Sequence, residues 1–326
     1  MIQAILNHKY VLKQNLDKVV FFTACLLLVS ACSVSSVVKD TTKTITKTTK
    51  KIAREITFAG DPLKKVIAVV GFENRSLQER DGFQKGFHKD LIEFLSTQCE
   101  DLIVLGSDSD GQPGRLTRLP KLASGQIDNF ALAVIGRQLG ANAIVAGSLT
   151  NIRPMDEERG ILWTKDTHYL IEVMIRAAVY DTETATKILD ESFPRQFEID
   201  ESEYQAIQNE NAYHVPQINE AFRQIVSVMG ERVCEVVAEQ RWNGYVTAVE
   251  EEKITISMGG SVGLEPGHIL EVFDSGRVLE GIDDQRFISP GLKTAEIKIV
   301  SVSDKQAEAV KVSGRGLKVG SIVRKK

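Results

Sequence analysis

The sequence predicts an α/β (α+β) domain of three-layer type with a mixed sheet, followed by a small all-β barrel domain of SH3-like size. Three observations lead to this prediction. Short β-branched runs alternate with helical patterns up to residue 150, a long stretch of period-two alternation follows, and short strands occupy the chain after Gly244. The chain has 326 residues, of which 43% are hydrophobic, so it can fill two cores. We expect the first domain at 63–240 and the second at 241–326.

Three short apolar runs predict the first buried strands. They cover residues 65–72, 102–105 and 142–150. None shows a helical period, and β-branched runs of this length are typical of strands that are covered on both faces. Residues 107–115 are rich in Asp, Gly and Ser, which predicts a loop between the second and the third run.

Two helices connect these strands. The first carries an apolar residue at every fourth position and ends near Cys99, and its inner face comprises Phe83, Phe87, Leu91 and Leu95. Asp128 or Asn129 can cap the second helix. The inner face that we expect for it comprises Ala131, Val134, Ile135 and Leu139. Gly140 follows directly and suits the left-handed position after a helix.

The one long hairpin that the sequence predicts joins residues 169–179 to residues 187–199. Apolar side chains alternate along the first arm, which indicates one covered and one partly exposed face. The turn lies at 181–186. A long helix follows with Pro216 near its first turn. Its apolar stripe comprises Ile218, Phe222, Ile225, Met229, Val233, Val236 and Val237.

From Gly244 onwards the sequence predicts β structure throughout. Short strands are predicted at 245–249, 253–257, 269–273, 294–302 and 307–312. Turn residues separate them, namely Gly259-Gly260, Pro266-Gly267, Asp283-Asp284 and Gly314. This spacing favours a small barrel or sandwich.

Residues 1–31 have the layout of a secretory signal. Three lysines precede an apolar stretch that begins near Val19 and ends in Val29-Ser30-Ala31-Cys32. These last four residues resemble the bacterial lipobox. The resemblance implies cleavage before Cys32 and a diacylglyceryl group on its thiol, which would tether the chain to a membrane. Ser33 at the next position points, by the same resemblance, to the outer membrane and its periplasmic side.

The same region allows three other interpretations. A transmembrane anchor is disfavoured because the apolar stretch is shorter than the roughly 20 residues that cross a bilayer. An ordinary cleaved signal, in which Cys32 is incidental, is a further alternative. Cys25 is a weaker lipidation candidate, since Phe22-Thr23-Ala24 fits the lipobox less well.

Residues 32–62 form the predicted tether. They are rich in Thr, Lys and Ser and offer too little apolar surface to offset the entropy of ordering. Val38, Ile45 and Ile52 fall seven apart, so a helix induced by a partner is an alternative. The lysines could also rest on anionic headgroups.

Two cysteines remain after cleavage and lipidation. Cys99 and Cys234 would stand in an oxidising compartment, where disulfides persist, and we predict that they pair. The alternative is two buried thiols on separate helices.

The sequence gives no sign of catalysis, and we predict a protein that is no enzyme and has no cofactor or metal. The formal net charge of −4 gives no reason to expect nucleic-acid binding. His88, His168, His214 and His268 lack metal-ligand spacing, and the chain has neither a nucleophile elbow nor a P-loop. Residues 259–263 are glycine-rich but lie between strands, so they predict a turn.

Two stretches carry a resemblance to known families. Residues 66–76 and residues 133–150 look like the domain shared by the curli secretion-channel lipoprotein, the TolB amino-terminal domain and the middle domain of flagellar assembly protein T. This resemblance covers about residues 63–240. Residues 244–326 are similar to the carboxy-terminal domain of flagellar assembly protein T, and the order of the two modules matches that family better than the curli channel. The chain departs from that family in its lipobox and in the tether that replaces an additional amino-terminal domain.

The lipobox and this resemblance together predict a non-enzymatic outer-membrane lipoprotein that acts in the periplasm as an assembly or scaffold factor for a flagellar basal-body ring or a secretion assembly. Its α/β domains would pack laterally into a ring-type homo-oligomer, and its β domain would dock a protein partner. One alternative is a curli-type pore, which needs further membrane-spanning hairpins with a lipid-facing apolar side, whereas the second arm of the predicted hairpin is charged. A monomeric adaptor that binds the envelope or peptidoglycan is the other alternative.

Overall fold

The structure, a computed structural model, describes residues 63–76, 83–105, 119–161, 163, 165–209, 215–251 and 253–326. The predicted signal at 1–31 with Cys25, the lipidation candidate Cys32 and the tether at 32–62 lie outside these residues, as do the predicted loop at 107–115 and His214.

A mixed sheet is the central layer of the first domain. Its strands are β1 Lys65–Val69, β2 Glu73–Asn74, β3 Leu102–Leu105, β4 Ala143–Arg159, β5 Asp166–Asp181 and β6 Lys187–Ile199. They lie in the order β3-β1-β4-β5-β6, and β2 pairs with β4. β1 is parallel to β3 and β4, whereas β4, β5 and β6 are antiparallel neighbours. The predicted mixed sheet is therefore confirmed.

The prediction of a single long hairpin is wrong. β4 continues well beyond residue 150 to Arg159 and pairs with β5 from Ala143↔Asp181 to Arg159↔Asp166, so β4 and β5 form a second long hairpin. The sequence of the outer half of β4 contains Pro154 and an acidic run at 156–158, which lack strand periodicity. Pairing with β5 overrides this weak local preference.

Four α-helices belong to the described residues: α1 Phe83–Gln98, α2 Asn129–Gln138, α3 Glu201–Gln208 and α4 Pro216–Ala238. α1 and α4 cover one face of the sheet. Phe87, Leu91 and Leu95 of α1 are buried there, together with the whole predicted stripe of α4. None of these described helices combines the length and the apolar character needed to span a bilayer.

Helix α3 was not predicted, although the sequence contains a signal for it. The Asp200 side chain accepts a hydrogen bond from the Glu203 backbone N–H, and the Glu203 carboxylate accepts one from the Asp200 N–H. This reciprocal capping box starts a helix of two turns. Helix α3 packs on β4 and β5, where Tyr204 donates a hydrogen bond to Asp156 at 2.9 Å.

The second face of the sheet is covered by α2 and by the β barrel. The expected inner face of α2 is confirmed in part. Ile135 and Leu139 pack, partly buried, against the core between sheet and barrel, whereas Ala131 and Val134 are only half-buried. The buried positions are Asn129, Leu132, Ala133 and Gly136. Leu132 joins the core between sheet and barrel, while Ala133 packs with Ala185 and Ile288. Helix α2 is thus contacted on two sides. A prediction based on one apolar stripe cannot identify both contact faces.

A closed barrel of six strands follows α4. Its strands are β7 Gly244–Glu250, β8 Lys253–Ile256, β9 Ile269–Phe273, β12 Lys293–Val302, β13 Ala307–Gly314 and β14 Ile322–Lys325. They close in the order β12-β13-β8-β7-β14-β9. The predicted small barrel is confirmed. Strand β14, which has four residues, was not predicted.

A separate hairpin is inserted between β9 and β12. It consists of β10 Arg277–Glu280 and β11 Arg286–Ser289, which were not predicted as strands. Asp283 and Asp284 both have positive φ in its turn, as the predicted Asp-Asp turn requires. The hairpin contacts α2, since Asn129 Nδ2 donates to the carbonyl of Arg286 at 2.6 Å.

Candidate functional site: the sheet and barrel junction and the projecting hairpin

The chain from Pro62–Lys326 is one compact unit, and a common core runs from the sheet into the barrel. Val66, Ala68 and Ile144 on the sheet belong to the same buried cluster as Val246 and Leu270 in the barrel. The barrel therefore seals the second face of the sheet and is held there by burial of apolar surface.

Asn142 is the polar centre of this junction. It is buried at the start of β4, and its Oδ1 accepts a hydrogen bond from the Val66 N–H at 2.8 Å. Its Nδ2 donates to the carbonyl of Asn243 at 2.8 Å and to Asn243 Oδ1 at 2.7 Å. Because Asn243 directly precedes β7, one buried amide joins two sheet strands to the first strand of the barrel.

The turn between β5 and β6 is the second attachment. The Glu183 carboxylate is buried, accepts a hydrogen bond from Asn243 Nδ2 at 3.0 Å and forms an ion pair with Arg324 on β14. Arg137, at the end of α2, donates to the carbonyl of Thr182 at 2.8 Å and to that of Glu183. Three elements thus hold this turn, and the charge of Glu183 is compensated inside the junction.

Tyr245 completes the network from the barrel side. Its hydroxyl and Thr182 Oγ1 are 2.8 Å apart, and the Arg137 guanidinium lies 5.6 Å from the centre of its ring. Burial raises the pKa of the Tyr245 phenol well above its usual range, and burial also raises the pKa of the Asp181 carboxyl. These shifts follow from desolvation in a packed contact, and the groups act as fixed hydrogen-bond partners.

Cys99 and Cys234 lie on the opposite face of the sheet. Cys99 directly follows α1, Cys234 belongs to α4, and the structure joins their sulfur atoms. Their Cα atoms are 5.9 Å apart, within the range of about 4.4–6.8 Å that disulfides require. The predicted pairing has the backbone geometry that it needs, and it remains a proposal for the protein in its compartment.

The described histidines do not form a site. His88 is buried in α1, His168 pairs with Glu198, and His268 Nδ1 accepts a hydrogen bond from the Glu265 N–H at 3.2 Å. Within the described part of the chain, His, Cys, Asp and Glu side chains form no group of three that could hold a metal ion.

The β4–β5 hairpin projects beyond the rest of the sheet. β6 ends at Ile199 opposite Tyr169, so no third strand among the described residues pairs with the last part of the hairpin, from Glu157↔His168 to Arg159↔Asp166. At its tip Trp163 is 95% exposed and Ile161 is 79% exposed. Both of these apolar side chains are therefore largely open to solvent.

Charged side chains surround this tip in pairs. Arg159 forms an ion pair with Glu157, and Lys165 Nζ lies 2.7 Å from Glu158 Oε2. The hydrogen bond from His168 lowers the pKa of the Glu198 carboxyl. The exposed apolar residues of the tip are therefore followed along both strands by charged side chains that are paired with each other.

Sequence reasoning identified neither the junction nor the tip. The partners of the Asn142 and Glu183 side chains are 60 to 141 residues away along the chain, and no local pattern indicates them. For the tip a signal was available, because Ile161-Leu162-Trp163 follows Gly160 and interrupts an otherwise polar stretch.

No protein-family model matches this chain, and no curated protein is significantly similar to it. Solved structures that are similar to part of this chain include a lipoprotein from Neisseria meningitidis (13% identity, 48% of this chain and 99% of that chain covered, TM-score 0.28). Others are the PelC dodecamer from Paraburkholderia phytofirmans (11% identity, 52% and 93% covered, TM-score 0.25) and TolB from Acinetobacter baumannii (12% identity, 78% and 62% covered, TM-score 0.28). Likeness at these scores assigns neither a family nor a function. The resemblance to the curli channel and to flagellar assembly protein T stays an expectation.

Proposed function

We propose that this chain is a non-enzymatic lipoprotein of the outer membrane that faces the periplasm and acts as an assembly or scaffold factor for a surface structure. This surface structure would be a flagellar basal-body ring or a secretion assembly. Its mechanism would be ring-type self-association. The observation that carries the proposal is the buried junction that holds the barrel on the sheet.

A ring closes when each subunit presents its two contact surfaces at one fixed angle. In this chain the shared core and the network of Asn142, Glu183 and Arg324 fix the barrel relative to the α/β layer. Surfaces on both parts can then serve as one composite surface. A barrel on a free linker would not hold such an angle.

The edge of the sheet restricts how subunits can meet. β6 lies at one edge, and Pro194 in its centre lacks a backbone N–H. The same strand carries Lys187, Asp190, Glu191, Arg195 and Glu198. Proline and charge on an edge strand disfavour the addition of another strand. We therefore expect that subunits do not meet by strand addition at β6.

The lipid on Cys32 would confine the chain to two dimensions. A tether of about 30 residues spans up to roughly 100 Å when extended, so the folded unit can reach partners above the membrane plane. Confinement raises the effective concentration for self-association without new contacts. In this proposal Cys32 and the tether attach the chain to the membrane, and the folded unit makes the specific contacts.

The test is the native mass of the full-length lipidated protein extracted in mild detergent. A discrete high-order oligomer supports the scaffold proposal, and a monomer at all accessible concentrations overturns self-association. The matched control is Cys32→Ser, which abolishes the lipid and should lower oligomer yield at equal total concentration.

Two further measurements separate the alternatives. An oligomer that conducts ions in a planar bilayer would replace the scaffold by a curli-type pore. A monomer that cosediments with purified cell wall would indicate the peptidoglycan-binding adaptor. A genomic neighbourhood of flagellar or secretion genes would identify the surface structure.

A further inference from the structure

The tip of the β4–β5 hairpin exposes apolar side chains at a single point. Trp163 is 95% exposed and Ile161 is 79% exposed. Tryptophan is highly buried on average in folded proteins, so a nearly fully exposed one at a projecting tip calls for a partner.

We propose that this tip is a membrane-insertion site that takes the interfacial region of a lipid bilayer. Trp163 would lie at the level of the headgroups and Ile161 among the upper acyl chains. This inference goes beyond the scaffold proposal and does not depend on the lipid at Cys32, since the two features belong to different parts of the chain.

The size of the tip favours a lipid surface over a protein. A stable protein interface buries about 800 Å² on each partner, whereas one aromatic side chain offers roughly 150–250 Å². Ile161 and Trp163 at the end of a narrow two-stranded arm present a point rather than a flat or concave face. The indole ring has an apolar body and one N–H donor, and this combination places Trp at membrane interfaces.

The shape of the arm limits the depth of insertion. Three residue pairs lie beyond the end of β6, and at about 3.4 Å for each residue they project by roughly 10 Å. Arg159 with Glu157 and Lys165 with Glu158 then form a charged ring directly behind the apolar residues. Charged side chains are costly at the bilayer centre, so this ring would stop at the headgroups.

The charges also predict which lipids the tip accepts. Asp156, Glu157, Glu158 and Asp166 outnumber Arg159 and Lys165 around the tip, and two of the acids are paired with the two bases. A mostly acidic surface is not attracted electrostatically to anionic headgroups. Binding should therefore occur on neutral phosphatidylcholine vesicles and should be insensitive to salt.

The chain offers a clean fluorescent probe, because it contains two tryptophans and Trp242 is buried. In the full mature chain with Cys32→Ser and Trp242→Phe, Trp163 is the single emitter. On addition of phosphatidylcholine vesicles we expect a blue shift of its emission, protection from acrylamide, and quenching by lipids brominated near the headgroup. Circular dichroism checks that the Trp242→Phe variant folds.

A cosedimentation series supplies the matched control. In the Cys32→Ser chain, Trp163→Ser should weaken vesicle binding by about tenfold or more, since it removes most of the inserted apolar area. Ile282→Ser alters the turn of the β10–β11 hairpin, where Ile282 is 83% exposed, and should leave binding unchanged.

Several outcomes would overturn the inference. Trp163 emission that ignores vesicles excludes insertion. A blue shift that appears with protein concentration alone would mean that the tip docks on a second copy. Binding that needs anionic lipid, disappears in high salt and survives Trp163→Ser would assign membrane contact to the lysine-rich tether instead.

Discussion

Arg324 on β14 of the barrel forms an ion pair with Glu183 in the turn between β5 and β6, across 141 residues of sequence. The two side chains are 18% and 9% exposed. The Arg324 guanidinium also lies 4.5 Å from the centre of the Phe273 ring, and Glu183 accepts a second hydrogen bond from Asn243. A charged pair at this depth holds the barrel in one orientation, because any other position would leave one of the charges buried without its partner.

Removal of Arg324 should destabilise the protein. Arg324→Met leaves the Glu183 carboxylate buried without its counter-ion, which we expect to cost about 3 kcal/mol in the free energy of unfolding. Urea unfolding of the Cys32→Ser chain measures it. The double variant with Glu183→Gln should recover part of the loss, because the uncompensated charge is gone.

An exposed ion pair provides the control for this prediction. Lys318 Nζ lies 2.9 Å from Asp274 Oδ1 on the surface of the barrel. Lys318→Met should leave the urea midpoint nearly unchanged, because solvent screens exposed pairs. Equal losses in Arg324→Met and Lys318→Met would show that the junction pair does not fix the barrel.

Pairing of Cys99 with Cys234 should add substantially to stability. The pair is separated by 135 residues, and a cross-link over a loop of that size stabilises by roughly 5 kcal/mol in the chain-entropy description. Urea midpoints with and without reductant measure the effect. In the Cys99→Ala/Cys234→Ala variant, reductant should have no further effect. Labelling of both thiols in the unreduced denatured protein would contradict the pairing.

Acid should weaken the hairpin of β5 and β6 through Asp190. Hydrogen bonds from Arg176, at 2.7 and 2.9 Å, and from Lys187 lower the pKa of the Asp190 carboxyl to about 2. Its folded pKa lies below the ordinary value, so the stabilisation is present above about pH 4 and is lost as the pH falls towards 2.

Asp190→Asn should therefore flatten the acid side of the stability profile. Urea midpoints between about pH 6 and pH 2 measure the slope. Asp181 provides a contrast of opposite sign. Its pKa is raised by burial, so its contribution is lost as the pH rises, and Asp181→Asn should not flatten the acid side. Identical slopes for Asp190→Asn and the parent chain would rule out this role of Asp190.

The contact between α1 and α4 depends on Gly230. A Cβ atom there would lie 2.3 Å from Cδ1 of Phe94, so Gly230→Ala should destabilise by about 1–3 kcal/mol through overpacking. Gly86 on α1 is the matched control, since a Cβ there meets nothing within 4 Å. Gly86→Ala should stabilise by about 0.5–1 kcal/mol through helix propensity. Thermal unfolding compares the two variants.

Local patterns account for most of the helices and for many of the strands. The apolar stripes of α1 and α4 were readable because a helix that packs on one sheet face shows a period of 3.6. β6 was readable to its ends because turn residues bound it. The outer half of β4 and strand β14 were not predicted, because their own sequences have a weak strand preference. The outer half of β4 forms by pairing with β5, and β14 forms by pairing with β7 and β9.

Gly140 has a backbone conformation that was predicted from the sequence and a close packing contact that was not. Its position after α2 predicted a left-handed conformation, and its φ of +71° confirms that. No sequence pattern indicates that a Cβ at this position would lie 2.9 Å from the carbonyl oxygen of Ser257 in the barrel. Backbone conformation depends on the nearest residues, whereas close approach depends on a strand more than a hundred positions away.

The sequence by itself determined the signal and lipobox pattern, the mixed sheet with its two main helices, the small barrel and the pair of cysteines available for a disulfide. These properties depend on composition or on short periods along the chain. The tertiary structure alone decided that the barrel closes the second face of the sheet, that Asn142 and Glu183 form a buried junction and that Trp163 projects from the folded body. Such features arise when distant residues meet, and burial and charge compensation then select one arrangement.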